Sequence, residues 1–278
     1  MRPDRRPLGL LALSFILTFG LVLGATAAAA QPYPNSMAAT GDSITRAYNT
    51  GSFPFIDNPA ASWSTGTTSS VNSHYLRVLS ANPLIKGKNY NDAKSGAKMA
   101  DLNAQMITVN SQHVDYVTVL MGGNDICTST VDTMTSPATF AAQFTSAMTT
   151  ITAGSPSAYV FVASIPNAYR LWQILKDNTY ARRAWSTYKI CQSLLANPLS
   201  TADGDVARRN AVLQRNIELN QQLAQVCATF VQCRFDGNAV FNTAFAASDI
   251  STRDYFHPSV AGQAKLASAT WPVSYWAP

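Results

Sequence analysis

Two residues near the C-terminus have the types and spacing that general base catalysis requires. His257 follows Asp254 by three positions and is itself followed by Pro258. Because proline disfavours helical geometry in the residue before it and suits the first residue of a helix, residues 254–257 are predicted to form a turn into a final helix. In such a turn the carboxylate can bind one imidazole nitrogen and leave the other to accept a proton. His257 is therefore the candidate base and Asp254 its orienting acid, although a helix-capping histidine beside a chance aspartate would have the same sequence.

The other two of the three histidines lie in contexts that favour structural or surface roles. His74 falls in a predicted helix with no acid nearby in sequence, and His113 falls in a polar turn ahead of a predicted strand. Glu218 is the only glutamate of the chain. That count excludes a catalytic pair of glutamates and the H-E-x-x-H zinc motif.

A serine lies at the end of the first predicted strand. The apolar residues 37–40 lead directly into Gly41-Asp42-Ser43, and a helix is predicted to begin there. A serine at such a junction lies at the carboxyl edge of a parallel sheet, with its backbone N–H near the positive end of a helix. Ser43 is therefore the candidate nucleophile, and its N–H is a candidate donor to an oxyanion.

Two further turns follow predicted strands and share this geometry. One contains Gly96, whose bare N–H can approach a developing oxyanion, and the other contains Asn124, whose side-chain amide is another donor. The alternative interpretations are an ordinary turn for Gly96 and a helix N-cap for Asn124. In a parallel sheet all three turns lie at one edge, where open α/β sheets bind their ligands. Ser43, Gly96 and Asn124 are therefore predicted to form one oxyanion hole.

The elements that must position these residues alternate between strands and helices. Apolar and β-branched runs predict strands at residues 37–40, 88–91, 116–121, 159–165 and 231–235. Apolar residues at helical spacing predict helices at residues 140–151, 206–230 and 260–271. This alternation predicts an α/β fold in which helices cover both faces of a central parallel sheet.

Residues 166–205 break the alternation. They contain aromatic residues without a predicted strand, namely Tyr169, Trp172, Tyr180, Trp185 and Tyr188. We expect either a rim of the substrate site or a helical excursion that packs its own aromatic side chains, and the sequence favours neither.

The N-terminus has the organisation of a signal peptide. Arginines precede an uncharged apolar run, and alanines follow it at residues 27–30. This order predicts that residues 1–30 are removed and that residues 31–278 are exported as a single domain. The alternative is a membrane anchor, but the apolar run is short for a span, which needs about 20 residues. The formal net charge of +5 comes without a dense basic segment, so we expect no binding to nucleic acid.

The four cysteines favour two disulfides in an exported chain. Three pairings are possible, and the sequence alone does not select one. We favour the local pair Cys227–Cys233, which leaves Cys127–Cys191 by elimination. The paired C-x2-C spacings of zinc clusters do not occur in the sequence, and cysteines engaged in disulfides argue against a cysteine nucleophile.

Four short blocks resemble, in order and spacing, the sequence blocks of the SGNH (GDSL-type) hydrolases. The blocks are Gly41-Asp42-Ser43-Ile44, Gly96, Gly122-Gly123-Asn124-Asp125 and Asp254-Tyr255-Phe256-His257. Ile44 stands where many members of the family have leucine. Further stretches resemble the phospholipase B-like branch, namely Ala61-Ser62-Trp63-Ser64-Thr65-Gly66, Gly122-Gly123-Asn124-Asp125-Ile126-Cys127 and Tyr255-Phe256-His257-Pro258-Ser259.

The resemblance implies a flavodoxin-like, three-layer α/β/α fold and ester hydrolysis through an acyl-enzyme. Ser43 would attack, His257 would accept and return the proton, and Asp254 would orient His257. The N–H groups of Ser43 and Gly96 and the side chain of Asn124 would hold the oxyanion. No metal or organic cofactor is implied. We expect a secreted, monomeric esterase or lipase that acts on small-molecule or lipid esters and contacts lipid surfaces transiently.

Three alternatives differ in substrate, fold or activity. A carbohydrate O-deacetylase, similar to an acetyl xylan esterase, would keep the mechanism and change the alcohol. An α/β-hydrolase would need a G-x-S-x-G pentad, which the sequence lacks. A non-catalytic extracellular binding module would lack a member of the triad, whereas Ser43, Asp254 and His257 are all present.

Overall fold

The structure is a computed structural model that describes Met1 and residues 31–276. The predicted signal peptide therefore lies, apart from Met1, outside the described residues. Among the described residues, no helix has both the length and the apolar character that a bilayer span requires.

A parallel sheet forms the centre of the fold. Its strands are β1 (Met37–Gly41), β2 (Asn89–Asn91), β3 (Tyr116–Leu120), β4 (Tyr159–Val162) and β5 (Cys233–Phe235). They lie in the order β2-β1-β3-β4-β5, and Met37 of β1 pairs with Asn89 on one side and Tyr116 on the other. This order is flavodoxin-like. The chain first adds β2 on one side of β1 and then crosses to β3 on the other side, so the strand order reverses between β1 and β3. A crevice at the carboxyl ends of β1 and β3 is the expected result.

Helices cover the sheet on both faces. They are α1 (His74–Ala81), α2 (Met99–Gln112), α3 (Gly123–Ile126), α4 (Pro137–Gly154), α5 (Ala168–Leu175), α6 (Thr179–Thr187), α7 (Gln192–Leu195), α8 (Asp203–Cys227), α9 (Ala239–Asn242) and α10 (Val260–Thr270). Alternate residues of β3 enter different cores, because Val117 and Val119 pack with α2, α4 and α8, whereas Tyr116 and Leu120 pack with α1 and α10. The predicted three-layer α/β/α fold is therefore confirmed.

The predicted strand at residues 159–165 ends earlier, at Val162. Side chains bind the backbone beyond that point, since the N–H of Ser164 donates to Asp236 Oδ2 at 2.9 Å and the N–H of Ile165 donates to Asn220 Oδ1 at 2.7 Å. At Ser164 and Ile165 these side-chain contacts take the place of strand pairing. Their partners are distant in sequence, so the apolar pattern carried no sign of them.

The helix predicted to begin at Ser43 is absent, and residues 42–48 form a series of turns. The N–H of Tyr48 reaches back to the carbonyl of Ser43 at 3.0 Å, across five residues. Ala47 and Asn49 have left-handed backbone angles, with φ of 50° and 64°. Residues in that conformation cannot continue a right-handed helix. The prediction was wrong here because local contacts determine the backbone of this segment.

The segment of residues 166–205 contains α5, α6 and α7 and no strand. Trp185 is fully buried, and its indole N–H donates to the backbone oxygen of Tyr255 at 3.0 Å. Tyr188 and Ile190 instead face a cavity at the carboxyl edge of the sheet. The segment thus packs some of its aromatic side chains into the core and contributes others to the wall of that cavity.

Two disulfides join Cys127 to Cys191 and Cys227 to Cys233. The first connects the end of α3 to the start of α7, so it attaches the 166–205 segment to the loop after β3. The second connects the end of α8 to β5. One bridge therefore supports the carboxyl edge of the sheet, and the other supports its amino edge.

Breaking the two disulfides is expected to lower the free energy of unfolding by different amounts. A disulfide restricts the unfolded chain more when it closes a longer loop. The separation of 64 residues between Cys127 and Cys191 corresponds to about 4 kcal/mol, and the separation of 6 between Cys227 and Cys233 to about 2 kcal/mol. Chemical denaturation of the two Cys→Ser double variants measures both losses. A larger loss at Cys227–Cys233, or no loss at either bridge, would contradict this expectation.

Candidate active site

The loops after β1, β2 and β3 meet at the carboxyl edge of the sheet, as expected for a parallel arrangement. They enclose a cavity of about 400 Å³. Its lining includes Ser43 from the first loop, Gly96 from the second and Asn124 from the third. Asp254 and His257, from the loop before α10, complete the wall. The structure therefore brings together all five residues singled out in the sequence.

Ser43, His257 and Asp254 form a continuous hydrogen-bonded line. Ser43 Oγ lies 2.7 Å from Nε2 of His257, and Nδ1 of His257 lies 2.6 Å from Oδ2 of Asp254. Because a carboxylate cannot donate, the hydrogen between His257 and Asp254 belongs to Nδ1, which leaves Nε2 as an acceptor for the serine proton. This arrangement can generate a nucleophilic serine oxygen.

The carboxylate of Asp254 is held in its charged form by N–H donors. Oδ1 accepts the backbone N–H groups of Phe256 at 2.9 Å and of His257 at 3.1 Å. Burial raises the pKa of Asp254, but the hydrogen bonds and the charge of His257 outweigh it and hold the pKa below its ordinary value. An ionised carboxylate is the form that fixes the imidazole tautomer and stabilises an imidazolium ion.

The backbone of the loop before α10 fixes the position of His257. The N–H of Ser251 donates to the carbonyl of His257 at 2.8 Å, and Pro258 forms an isolated antiparallel bridge with Ile250. The final helix α10 begins at Val260, as the apolar pattern predicted, and not at Pro258, although proline suits a first helical position. The helix starts later because Ser259 caps it and the bridge keeps Pro258 extended.

Gly96 and Asn124 line the same cavity as Ser43 and contribute two kinds of donor. Gly96 has a φ of 83°, and the space that a Cβ would occupy is open. The amide of Asn124 donates one hydrogen to the carbonyl of Ala97 at 2.9 Å, which joins the second and third loops. An amide group carries two hydrogens, so another can point to a substrate oxygen. Asn124 is not the N-cap of α3, a position that Gly122 occupies.

Two buried aspartates brace the loops, a role that the sequence alone did not indicate. Asp42 Oδ1 accepts the N–H of Ile44 at 2.8 Å, and burial raises the pKa of Asp42 to about 6. Asp125 Oδ2 accepts the N–H of Met99 at 2.9 Å. Burial also raises the pKa of Asp125. Neither carboxyl group lines the cavity; that of Asp42 holds the backbone next to Ser43, and that of Asp125 joins the loop after β3 to the start of α2.

Asn49 is a further site residue that the sequence did not reveal. It is buried, and its side-chain Nδ2 donates to Asp254 Oδ2 at 2.5 Å. Its Oδ1 accepts the N–H of Phe55, and its carbonyl accepts the hydroxyl of Ser251 at 2.8 Å. Asn49 therefore connects the carboxylate of the triad to the segment that contains Phe55. No local motif marks this residue, because its partner Asp254 lies 205 positions away.

The substitution Asn49→Gly is expected to lower kcat about 10- to 100-fold with little change in KM, since a hydrogen bond to a charged group contributes about 1.5–3 kcal/mol. Glycine tolerates the left-handed backbone, so the variant tests the side chain alone. Steady-state kinetics on a water-soluble ester measures the effect. Asn72→Gly is a matched control, because Asn72 is also left-handed, with φ of 49°, but exposed and outside the cavity lining. A lower melting temperature with unchanged kcat would contradict a positioning role for Asn49.

A smaller apolar cavity of about 80 Å³ adjoins the first. Both cavities are lined by Cys127, Phe256 and His257. The other walls of the apolar cavity are mainly aliphatic and aromatic, and they include Ile44, Ile126, Ile165, Ala168, Leu171, Phe245 and Ile250. The imidazole thus stands where a polar, open cavity meets an apolar one.

The other two histidines lie outside both cavity linings. His74 is fully buried, with Nδ1 2.9 Å from the hydroxyl of Tyr116 and Nε2 2.8 Å from that of Thr270. Burial lowers the pKa of His74 to about 3, so this histidine is a neutral core residue. His113 caps the end of α2 in a left-handed conformation. Among the described residues, no group of three or more His, Cys, Asp or Glu side chains could hold a metal ion.

Comparison with known proteins places this architecture in context. A family model described as GDSL-like lipase/acylhydrolase matches residues 37–270. The chain is similar in structure to an extracellular lipase from Streptomyces rimosus, with a TM-score of 0.52 and 20% identity, over 86% of this chain and 99% of that one. It is also similar to a family 3 carbohydrate esterase from Clostridium thermocellum, with a TM-score of 0.50 and 14% identity, over 86% and 94% of the two chains. A search of curated proteins found no match.

Proposed function

Because this chain belongs to the GDSL-like lipase/acylhydrolase family and is a carboxylic ester hydrolase, we propose that it is secreted and cleaves lipid acyl esters through an acyl-enzyme formed on Ser43. The observation that carries the proposal is the line of two short hydrogen bonds from Ser43 through His257 to Asp254. A serine in this arrangement needs no other base, because the imidazole already accepts its proton.

In the proposed mechanism Ser43 Oγ attacks the ester carbonyl while Nε2 of His257 takes the serine proton. The carbonyl oxygen becomes negative and is held by the N–H groups of Ser43 and Gly96 and by the Asn124 amide, each worth about 3–4 kcal/mol in the transition state. His257 then returns the proton to the departing alcohol. A water molecule then attacks the acyl-enzyme while Nε2 of His257 takes a proton from it. His257 returns this proton to Ser43 Oγ as the carboxylic acid leaves, and Asp254 stabilises the imidazolium in both stages.

The apolar cavity beside His257 supports an acyl chain as the group transferred. Its walls are apolar apart from a few groups, and it opens next to the imidazole that would face the ester bond. An acetyl group would leave this cavity unused, whereas a longer chain would bury its methylenes there, at about 0.8 kcal/mol each. The structural relatives are a lipase and a carbohydrate esterase, so the fold itself does not select the alcohol. The lining favours a lipid over an acetylated carbohydrate.

Secretion is supported by two independent features. The sequence of residues 1–30 has the order of a signal peptide. The chain also has two disulfides, and disulfides form and persist in oxidising compartments outside the cytoplasm.

A series of p-nitrophenyl esters, run beside phosphatidylcholine and acetylated xylan, tests the proposed substrate class. We expect kcat/KM to rise as the acyl chain grows beyond acetyl, and fatty acid rather than headgroup to be released from phosphatidylcholine. Leu171→Trp, which narrows the apolar cavity, should reduce turnover of the longer esters by about tenfold and leave the acetyl ester nearly unchanged. Activity confined to acetyl esters and acetylated xylan would contradict the lipid assignment and favour the carbohydrate O-deacetylase.

A further inference from the structure

Exposed apolar side chains lie at the active-site cavity and beside it in the chain. Phe53 is 71% exposed, and Phe55, Ile56 and Tyr188 are each about half exposed. The rings of Phe55 and Tyr188, which both line the cavity, meet edge to face with their centroids 5.2 Å apart. These four residues are called the mouth patch below. A contiguous exposed apolar group beside a cavity is typical of a surface that binds a partner.

Hydrogen bonds fix the segment that contains most of the mouth patch. The N–H of Phe55 donates to the side chain of Asn49, and the N–H of Asn49 donates to the carbonyl of Ile56. Arg46 and Asp57 form an ion pair of 2.9 Å at the end of the segment. The backbone that carries Phe55 and Ile56 is therefore fixed beside the cavity that Phe55 lines.

Exposed cations flank the mouth patch. Arg253 donates to the backbone oxygen of Ser52 at 2.6 Å, and Lys189 adjoins Tyr188 in the chain. Lys94 lies on the loop that enters the cavity from β2, and all three cations are exposed. The carboxylate of Asp57, which follows Ile56, is already paired with Arg46. The three exposed cations therefore give the surroundings of the mouth patch a positive charge.

We propose that the mouth patch and these three cations form a docking surface for an anionic lipid bilayer, with the cavity facing the lipid. Aromatic and aliphatic side chains enter the boundary between headgroups and acyl chains, and lysine and arginine at the same level bind anionic headgroups. The inference rests on the proposed function, because a lipid ester has to pass from its bilayer to Ser43.

The chemistry of the mouth patch fits a lipid better than a polysaccharide. A neutral sugar gains nothing from flanking cations, and Ile56 has no aromatic face on which a sugar ring could stack. An anionic lipid can contact the cations with its headgroup and the apolar side chains with its acyl chains at the same time. A polysaccharide partner is therefore the competing outcome of the experiment.

The experiment measures cosedimentation with vesicles of ether-linked phosphatidylcholine and phosphatidylglycerol, since ether lipids cannot be cleaved by an ester hydrolase. Phe53→Asp is expected to weaken binding at least about tenfold, because it removes an inserting ring and adds a negative charge. Lys189→Gln is expected to weaken binding about fivefold to the anionic vesicles and hardly at all to phosphatidylcholine alone. Turnover of a water-soluble acetyl ester should stay unchanged in both variants.

Matched controls come from the amino edge of the sheet, opposite the cavity. Val231 is fully exposed ahead of β5, and Lys86 is exposed ahead of β2; Val231→Asp also replaces an exposed apolar side chain with an acid, and Lys86→Gln also removes an exposed lysine, both away from the mouth patch. Equal binding by Phe53→Asp and Val231→Asp, no binding by the unaltered protein, or binding to insoluble xylan through Phe53 would overturn the proposal. Vesicle binding without ester turnover would contradict the proposed function alone.

Discussion

Replacing Ser43 with alanine should lower ester turnover by about 10⁴- to 10⁶-fold while the protein stays folded. The hydroxyl of Ser43 is the only atom of that side chain engaged with His257, at 2.7 Å, and alanine cannot form the acyl-enzyme. The small remaining rate would come from substrate binding and the oxyanion donors. Turnover of a p-nitrophenyl ester at saturating substrate measures the loss, and circular dichroism establishes that the fold is retained.

Ser95→Ala is the matched control for this variant. Ser95 lines the same cavity, but its hydroxyl donates to Asp57 at 2.5 Å instead of meeting an imidazole. Its loss should change turnover by no more than about tenfold, the effect of one hydrogen bond. If Ser43→Ala kept a tenth of the original rate, or if Ser95→Ala were the more damaging change, Ser43 would not be the nucleophile.

Replacing Asp254 with asparagine should lower kcat by about 10³- to 10⁴-fold, because the imidazole would be held in the wrong tautomer. Every described hydrogen bond to Asp254 comes from an N–H donor, including those of Asn49 and His257. An asparagine must place its own NH2 group against one pair of these donors, whichever way the amide is turned. With the NH2 group opposite Nδ1, the imidazole tautomer is reversed and Nε2 no longer accepts the serine proton; the side chain of Asn49 then also faces an NH2 group, so some loss of stability accompanies the loss of activity.

Asp236→Asn separates the catalytic effect from the structural one. Asp236 is also buried and also accepts only from N–H and O–H donors, among them Ser164 and Val240, but it lies outside the lining of the cavity. We expect this control to lower the melting temperature and to retain kcat at temperatures where it is folded. A comparable fall in kcat in both variants would show that the Asp254 effect is structural, contrary to the proposed mechanism.

The sequence predicted those parts of the fold that local patterns determine. Buried strands such as Tyr116–Leu120 consist almost entirely of apolar and β-branched residues, and such runs marked them to within a few residues, whereas the short edge strand Asn89–Asn91 is mostly polar. Parallel strands place their following loops at one edge, so Ser43, Gly96 and Asn124 could be assigned to one site from the sequence alone. The alternation of strands and helices was sufficient to predict a parallel sheet with helices on both faces.

What the sequence could not provide depends on contacts between distant residues. The turns at residues 42–48 are the exception, since left-handed residues and local hydrogen bonds replaced the predicted helix there. Asn49 was missed because its link to Asp254 exists only after the chain has folded. The role of residues 166–205 also depended on packing, since Trp185 turns inward and Tyr188 turns toward the cavity.

A single arrangement connects the surface of this protein to its reactive group. Phe55 at the mouth of the cavity, Asn49 beneath it and Asp254 beside His257 are joined by consecutive hydrogen bonds. The disulfide Cys127–Cys191 holds the opposite wall of the same cavity. Hydrogen bonds therefore fix one wall of the cavity, and a disulfide fixes another.

Covalent labelling with a fluorophosphonate, located by peptide mass spectrometry, tests the activated serine most directly. The reagent phosphonylates only a hydroxyl whose proton is removed by a neighbouring base. We predict one adduct on the peptide that contains Ser43, no adduct in Ser43→Ala, and much slower labelling in His257→Ala. Complete inactivation with the adduct on another residue, or an unlabelled Ser43 in an active enzyme, would contradict the account.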